Sequence, residues 1–131
     1  MNNKMSVLLI DDHALFRIGL EGLLEKRGIE VIAATASGDE GIKKAQELNP
    51  DIILLDMRMP GMSGSQTLRR LREAKVEAPV VMLTTSNEER DLIESLRAGA
   101  QGYLLKDIDP DDLVKSLTDV LAGKTVVAPE L

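Results

Sequence analysis

Short apolar runs punctuate the chain at Val7–Ile10, Val31–Ala34, Ile52–Leu55, Val80–Leu83 and Tyr103–Leu105. Each is continuous rather than alternating, the pattern of a strand buried on both faces of a parallel sheet. Stretches of helical spacing lie between them. Phe16, Leu20, Leu23, Leu24 and Arg27 fall on one stripe that Gly28 closes. Ile42, Ala45 and Leu48 follow Ser37-Gly38 and stop at Asn49-Pro50, because the residue before proline avoids the α region. After the turn-rich Pro60-Gly61-Met62-Ser63-Gly64, Leu68 and Leu71 mark a third helix running toward Ala74, and Pro79 ends that connection. Asn87 stands where it can cap a fourth helix with Glu88 and Glu89 in its first turn, Ile93, Leu96 and Arg97 beyond, and Gly99 after the last turn. Asp109-Pro110-Asp111-Asp112 supplies a cap, a proline at the first helical position and two acids facing the helix dipole. That fifth helix carries Leu113, Leu117, Val120 and Leu121 and ends at Gly123. Strands alternating with helices over short links predict an α/β, doubly wound five-stranded parallel sheet with five helices covering both faces. Residues 124–131 read as a tail with no room for another element.

A length of 131 residues suits one domain, and 44% apolar with 29% charged residues is an ordinary globular composition. Composition narrows the chemistry more than the fold. With no cysteine there is no disulfide framework, thiol nucleophile or cysteine metal cluster. A net charge of −6 repels nucleic-acid phosphates, and Phe16 and Tyr103, the only aromatics, make no stacking platform for bases. The apolar run at Val7–Ile10 is far too short for a secretory core or a membrane span, so the chain is expected in the cytoplasm without a membrane partner.

Ligands of an open parallel sheet sit beyond the carboxyl ends of its strands, where the strand order reverses. The predicted strands end at Asp11-Asp12, Asp56, Thr84-Thr85 and Lys106. Taken singly, the acid pair reads as a helix cap, Asp56 before Pro60-Gly61 as a turn, Thr84 as a turn hydroxyl and Lys106 as a solvated lysine. Together they place three carboxylates, a hydroxyl and an ammonium on one edge. Carboxylates crowded this way need a cation, and hard oxygen donors suit Mg²⁺.

Those residues carry a resemblance. Ile10-Asp11-Asp12-His13, Asp56-Met57-Arg58-Met59-Pro60-Gly61-Met62-Ser63-Gly64, Thr84-Thr85-Ser86 and Gly99-Ala100-Gln101-Gly102-Tyr103-Leu104-Leu105-Lys106-Asp107 resemble the receiver domain of bacterial two-component response regulators, NarL/FixJ-type subfamily. The resemblance implies a flavodoxin-like receiver fold over residues 5–123. Residues 124–131 would then be a tail or the start of a linker to a C-terminal output domain absent from this sequence. It implies that Asp56 accepts a phosphoryl group from a sensor histidine kinase as an acyl phosphate. Asp12, Asp56 and the backbone carbonyl of Arg58 would hold Mg²⁺, and Asp11 would orient metal-bound water. Lys106 and Thr84 would meet the phosphoryl oxygens, and Tyr103 would rotate inward as the switch. Homodimerisation on phosphorylation, DNA contact only through an output domain, and catalysis limited to its own phosphorylation and dephosphorylation complete the implied behaviour.

Several positions depart from the common receiver pattern. Arg58 can reach either the phosphoryl group or an acid on the fourth helix, and with Ser86 it is expected to set acyl-phosphate lifetime through water access. Thr85 stands where a smaller residue leaves the site open to small donors, and Asp107 replaces a proline, which disfavours a cis bond. His13 reads as a cap or surface residue, while Arg69, Arg70, Arg72 and Lys75 read as a solvated basic face. An aspartyl-nucleophile Mg²⁺ phosphatase is the alternative from another class, but it wants a second Asp at the position of Arg58. A pseudo-receiver that only binds is opposed by the complete acid, hydroxyl and lysine set, and a mononucleotide domain by the lack of a Gly-rich loop after the first strand.

Overall fold

The computed structural model describes residues 4–131; residues 1–3 lie outside the described part. Its elements are β1 (Ser6–Ile10), α1 (Ala14–Lys26), β2 (Glu30–Thr35), α2 (Gly38–Leu48), β3 (Ile52–Leu55), α3 (Gly64–Glu73), β4 (Val80–Thr84), α4 (Glu89–Arg97), β5 (Gly102–Leu105), α5 (Pro110–Leu121) and β6 (Val126–Val127). The strands run parallel in the order β2-β1-β3-β4-β5-β6. Five strands occur where the apolar runs predict them, and all five predicted helices form.

The sixth strand corrects the five-stranded expectation. Val126 and Val127 pair with Gly102 and Tyr103, and the amide of Ala128 donates to the Tyr103 carbonyl at 2.9 Å. A two-residue strand is too short to leave a periodic signature. What makes it possible is a neighbour without a side chain: a Cβ on Gly102 would stand 2.9 Å from the Val126 side chain.

Successive strand residues face opposite sides, so the sheet divides the core in two. Val7, Leu9, Ile52, Leu54, Val81, Leu83 and Leu104 pack beneath α1 and α5 against Leu20, Leu24, Leu113 and Leu117. Leu8, Ile10, Ile53, Leu55, Val80, Met82 and Tyr103 pack on the other face against Ala45 of α2 and Leu68 and Leu71 of α3.

Local chemistry sets the helix ends. Ser37 accepts from the Glu40 amide, and α2 ends where Asn49 adopts a left-handed conformation. Asp109 accepts from the Asp111 amide, with Pro110 opening α5. At α3, Ser63 accepts from the Gln66 amide while Gln66 Oε1 accepts from the Ser63 amide at 2.9 Å, a reciprocal capping box. Ser63→Ala should lower stability by about 1 kcal/mol, read as a lower urea midpoint at unchanged slope.

Two expectations about helices fail. The cap residue of α4 is Glu88, not Asn87, and it makes no side-chain cap bond. The face α4 turns inward carries Asp91 and Ser95, while Ile93 and Leu96 stay exposed. In the basic stretch, Arg69, Arg70 and Lys75 are exposed. Arg72 instead donates to the carbonyls of Val76 at 2.8 Å and Ala78 at 2.9 Å, tying down the segment before β4.

Candidate functional site

Strand order reverses direction at β1, with β2 on one side and β3 on the other, and the crevice beyond their carboxyl ends is where such sheets bind ligands. Asp11 and Asp12 follow β1, Asp56 follows β3, Thr84 ends β4 and Lys106 follows β5. The structure gathers the acids, the hydroxyl and the lysine. Lys106 Nζ lies 2.7 Å from Asp11 Oδ2 and 3.3 Å from Asp56 Oδ2. Its side chain is only 9% exposed, so the solvated reading of Lys106 fails. The ammonium also sits 4.3 Å from the centroid of the Phe16 ring, a cation–π contact that gives this lone phenylalanine a place beside the site.

Asp56 is held in a strained electrostatic balance. Burial pushes its carboxyl above the ordinary range, Lys106 opposes that shift, Asp11 reinforces it, and Thr84 pulls it back down. Asp11 is fixed by the His13 amide, which donates to Oδ1 at 2.8 Å, and its carbonyl accepts from Arg17 Nη1 at 2.6 Å. Asp12 Oδ1 is buried with no hydrogen-bond partner. An orphaned carboxylate oxygen among further carboxylates is what a divalent cation satisfies, so this donor set fits the Mg²⁺ expectation.

His13 is an exposed residue at a helix cap, as its sequence reading expects, and it also borders the acids. It occupies the cap position of α1 but makes no side-chain cap bond. Its Nδ1 lies 3.2 Å from Asp11, 3.5 Å from Asp12 and 3.8 Å from Asp56, which groups it with the three acids. Adjacency to the acid pair was the only signal in the sequence.

Arg58 turns its guanidinium to the fourth helix rather than to Asp56. Its amide faces Asp56 Oδ1 at 3.4 Å, while Nε donates to Asp91 Oδ2 at 2.8 Å and Nη2 to Glu88 Oε2 at 2.9 Å. Asp91 also accepts from the Ser86 hydroxyl. Burial pushes the Asp91 carboxyl up, but the Ser86 bond and Arg58 outweigh it and hold the group below the ordinary range. The sequence offers Arg58 an acid on the fourth helix without saying which, because within Asn87-Glu88-Glu89-Arg90-Asp91 nothing marks the one acid that turns inward. Tyr103 lies inward and fully buried, and its hydroxyl donates to the Ser86 carbonyl at 2.8 Å. Thr85 is exposed, and among the described residues there is no cis peptide bond.

Among the described residues no helix is long and apolar enough to cross a membrane. Comparison with known proteins gives the chain its relatives. The nitrate/nitrite response regulator protein NarL of Escherichia coli strain K12 is 43% identical over 127 residues, covering 96% of this chain and 59% of that protein. The chain thus spans about three fifths of the length of the curated relatives it matches. A two-component response regulator of the LuxR family from Aurantimonas sp. SI85-9A1 superposes with a TM-score of 0.91 at 31% identity, covering 98% of this chain and 92% of that one. The signal receiver domain of the putative response regulator NarL from Mycobacterium tuberculosis gives 0.84 at 32% identity over 92% of this chain and 98% of that one. The response regulator receiver domain family matches residues 7–118, a span that holds every residue of the acidic crevice, and by that match the chain belongs to this family.

Proposed function

We propose that the chain is a phosphorylation switch in which Asp56 receives a phosphoryl group from the phosphohistidine of a sensor kinase. The carrying observation is Asp56 itself, a buried carboxylate at the crevice with Lys106 Nζ at 3.3 Å and an orphaned oxygen of Asp12 alongside. An Asp56 carboxylate oxygen attacks phosphorus, the P–N bond of the donor breaks, and its electron pair returns to the imidazole nitrogen. Asp11, Asp12 and Asp56, with the Arg58 carbonyl, are the residues that would hold Mg²⁺, which when bound offsets the charge on the transferring phosphoryl oxygens. Lys106, held between Asp11 and Asp56, presents its ammonium to the same oxygens. Thr84 is buried at the end of β4, placed to turn its hydroxyl toward the product. The acyl phosphate adds a charge of about −1.5 to −2, and Tyr103 conveys the change to the face of α4, β5 and α5.

The surface supports the partner reading. Leu15 and Ile18 of α1 are 86% and 69% exposed, beside a groove of about 300 Å³ lined by Phe16, Leu20, Leu23, Ile108 and Lys106. An apolar helix face next to the phosphoacceptor suits the helical surface of a histidine kinase. In a longer protein the switch would govern dimerisation and a DNA-binding output domain, as the transcriptional role of NarL-type regulators suggests, in the cytoplasm. The phosphatase alternative loses its acid/base group, since Arg58 occupies that position and is committed to Asp91 and Glu88.

Incubation with Mg²⁺ and a small acyl phosphate, followed by intact mass, should give one labile phosphoryl adduct that a chelator prevents. Lys106→Ala should slow its formation by about a hundredfold, the loss of a positioned charge at the transferring group. No adduct from either a small donor or a phosphorylated kinase would overturn the switch.

A further inference from the structure

Asp91 is a buried carboxylate that the receiver chemistry leaves without a task. It is 4% exposed, on a helix whose two buried residues, Asp91 and Ser95, are both polar. Three elements meet around it. Arg58 reaches it from the loop after β3, with Nη2 at 2.7 Å from Asp91 Oδ2. Ser86, from the loop after β4, gives it a hydroxyl proton. Ser86 is itself used at every polar atom: its amide donates to Thr84 Oγ1 at 3.2 Å, and its carbonyl accepts the Tyr103 hydroxyl at 2.8 Å.

We propose that Asp91 is a positioning residue for phosphoryl transfer, fixing Ser86 and through it both the Thr84 hydroxyl and the Tyr103 ring. This rests on the receiver reading of the site and deepens it. The reasoning concerns protons. Thr84 Oγ1 accepts from the Ser86 amide, so its lone pair on that side is occupied and its own proton is left for the phosphoacceptor side. That arrangement holds only while Ser86 keeps its place, and the bond from its hydroxyl to Asp91 ties it to α4. Arg58 keeps Asp91 ionised and in place from a residue whose amide already touches Asp56. A displacement of Thr84 toward a phosphoryl oxygen therefore draws on Ser86, and Ser86 draws on α4 and on Tyr103 together. A carboxylate out of water with two strong donors has one favoured position, which makes it a stiffer anchor than an exposed pair.

The test uses Asp91→Asn, Ser86→Ala and the double variant. Three quantities are read on each: Mg²⁺ affinity, the rate of adduct formation, and the ring NMR signals of Tyr103, the chain's only tyrosine. Asp91→Asn and Ser86→Ala should each slow adduct formation by about tenfold or more, since small misplacement of a positioning group is costly, with Mg²⁺ affinity within about twofold of wild type. The double variant should be no slower than the worse single one, because both changes cut one chain of contacts. The Tyr103 signals should shift in both single variants before any phosphodonor is added, a readout that does not depend on the chain accepting phosphate. Independent, additive slowing, or Tyr103 signals unmoved in Asp91→Asn, would overturn the proposal. A wild-type chain that forms no adduct while Tyr103 still responds to Asp91→Asn would overturn the receiver reading and with it the role in transfer, leaving only the physical coupling.

Discussion

Asp56→Asn should abolish the phosphoryl adduct and also raise the stability of the metal-free protein. The loss of the adduct follows from removing the nucleophile, since an amide oxygen does not attack phosphorus at a useful rate. The gain in stability follows from the burial that pushes the Asp56 carboxyl up, with Asp11 adding to the effect. A carboxyl whose folded pKa lies above its unfolded value destabilises the fold when ionised. The penalty is present in full above the folded pKa and is relieved as pH falls through it toward the ordinary carboxylate range. Lys106 does not become an orphan in the variant, because Asp11 Oδ2 stays 2.7 Å from its ammonium. A gain of about 1 kcal/mol moves the midpoint by roughly 4 °C in a domain of this size. Differential scanning calorimetry in chelator at neutral pH should show that rise, shrinking as the pH is lowered. Added Mg²⁺ should narrow the gap, since it stabilises the form that binds it more tightly. A variant less stable than wild type in chelator would show that the Lys106 pairing outweighs desolvation.

Gly64→Ala should be the most damaging single methyl near the site. Gly64 opens α3, and its amide donates to the Met57 carbonyl at 2.8 Å. A Cβ there would press into the backbone carbonyl oxygen of Asp56 and come within 2.6 Å of Met82 Cε and 2.8 Å of Met57 Cα. The methionine end can swing away, but the two backbone atoms cannot. Overpacking against backbone costs about 3 kcal/mol, and whatever relaxation relieves it moves Asp56. Urea unfolding should show the loss, and Mg²⁺ titration of the folded variant should show weaker binding. Wild-type values for both would mean that the start of α3 slides freely relative to β3.

The sequence makes the crevice legible for a physical reason. Strands buried on both faces leave uninterrupted apolar runs, and the first polar residue after each run marks a strand end. Asp11, Asp56, Thr84 and Lys106 are read off in that way. What stays hidden is decided by partners distant in sequence. Asp91 turns inward because Arg58, from another loop, meets it there, and no periodicity within α4 announces that. The exposed Ile93 and Leu96 even suggest the opposite face. Phe16 and His13 border the site because Lys106 and the acids converge on them after folding. The Tyr103 hydroxyl likewise finds a carbonyl rather than water only once Ser86 is in place.

The short strand after α5 bears on how self-association should be read. By pairing with Gly102 and Tyr103 it keeps β5 from being the rim of the sheet. A protein trimmed after Gly123 would lose the amides of Val126 and Ala128 from the Gln101 and Tyr103 carbonyls. An open rim of that kind is a template on which another chain can add a strand. Dimers of the trimmed protein that form equally well with and without phosphate would therefore report strand addition, whereas dimers of the full 131 residues that require phosphate would report signalling.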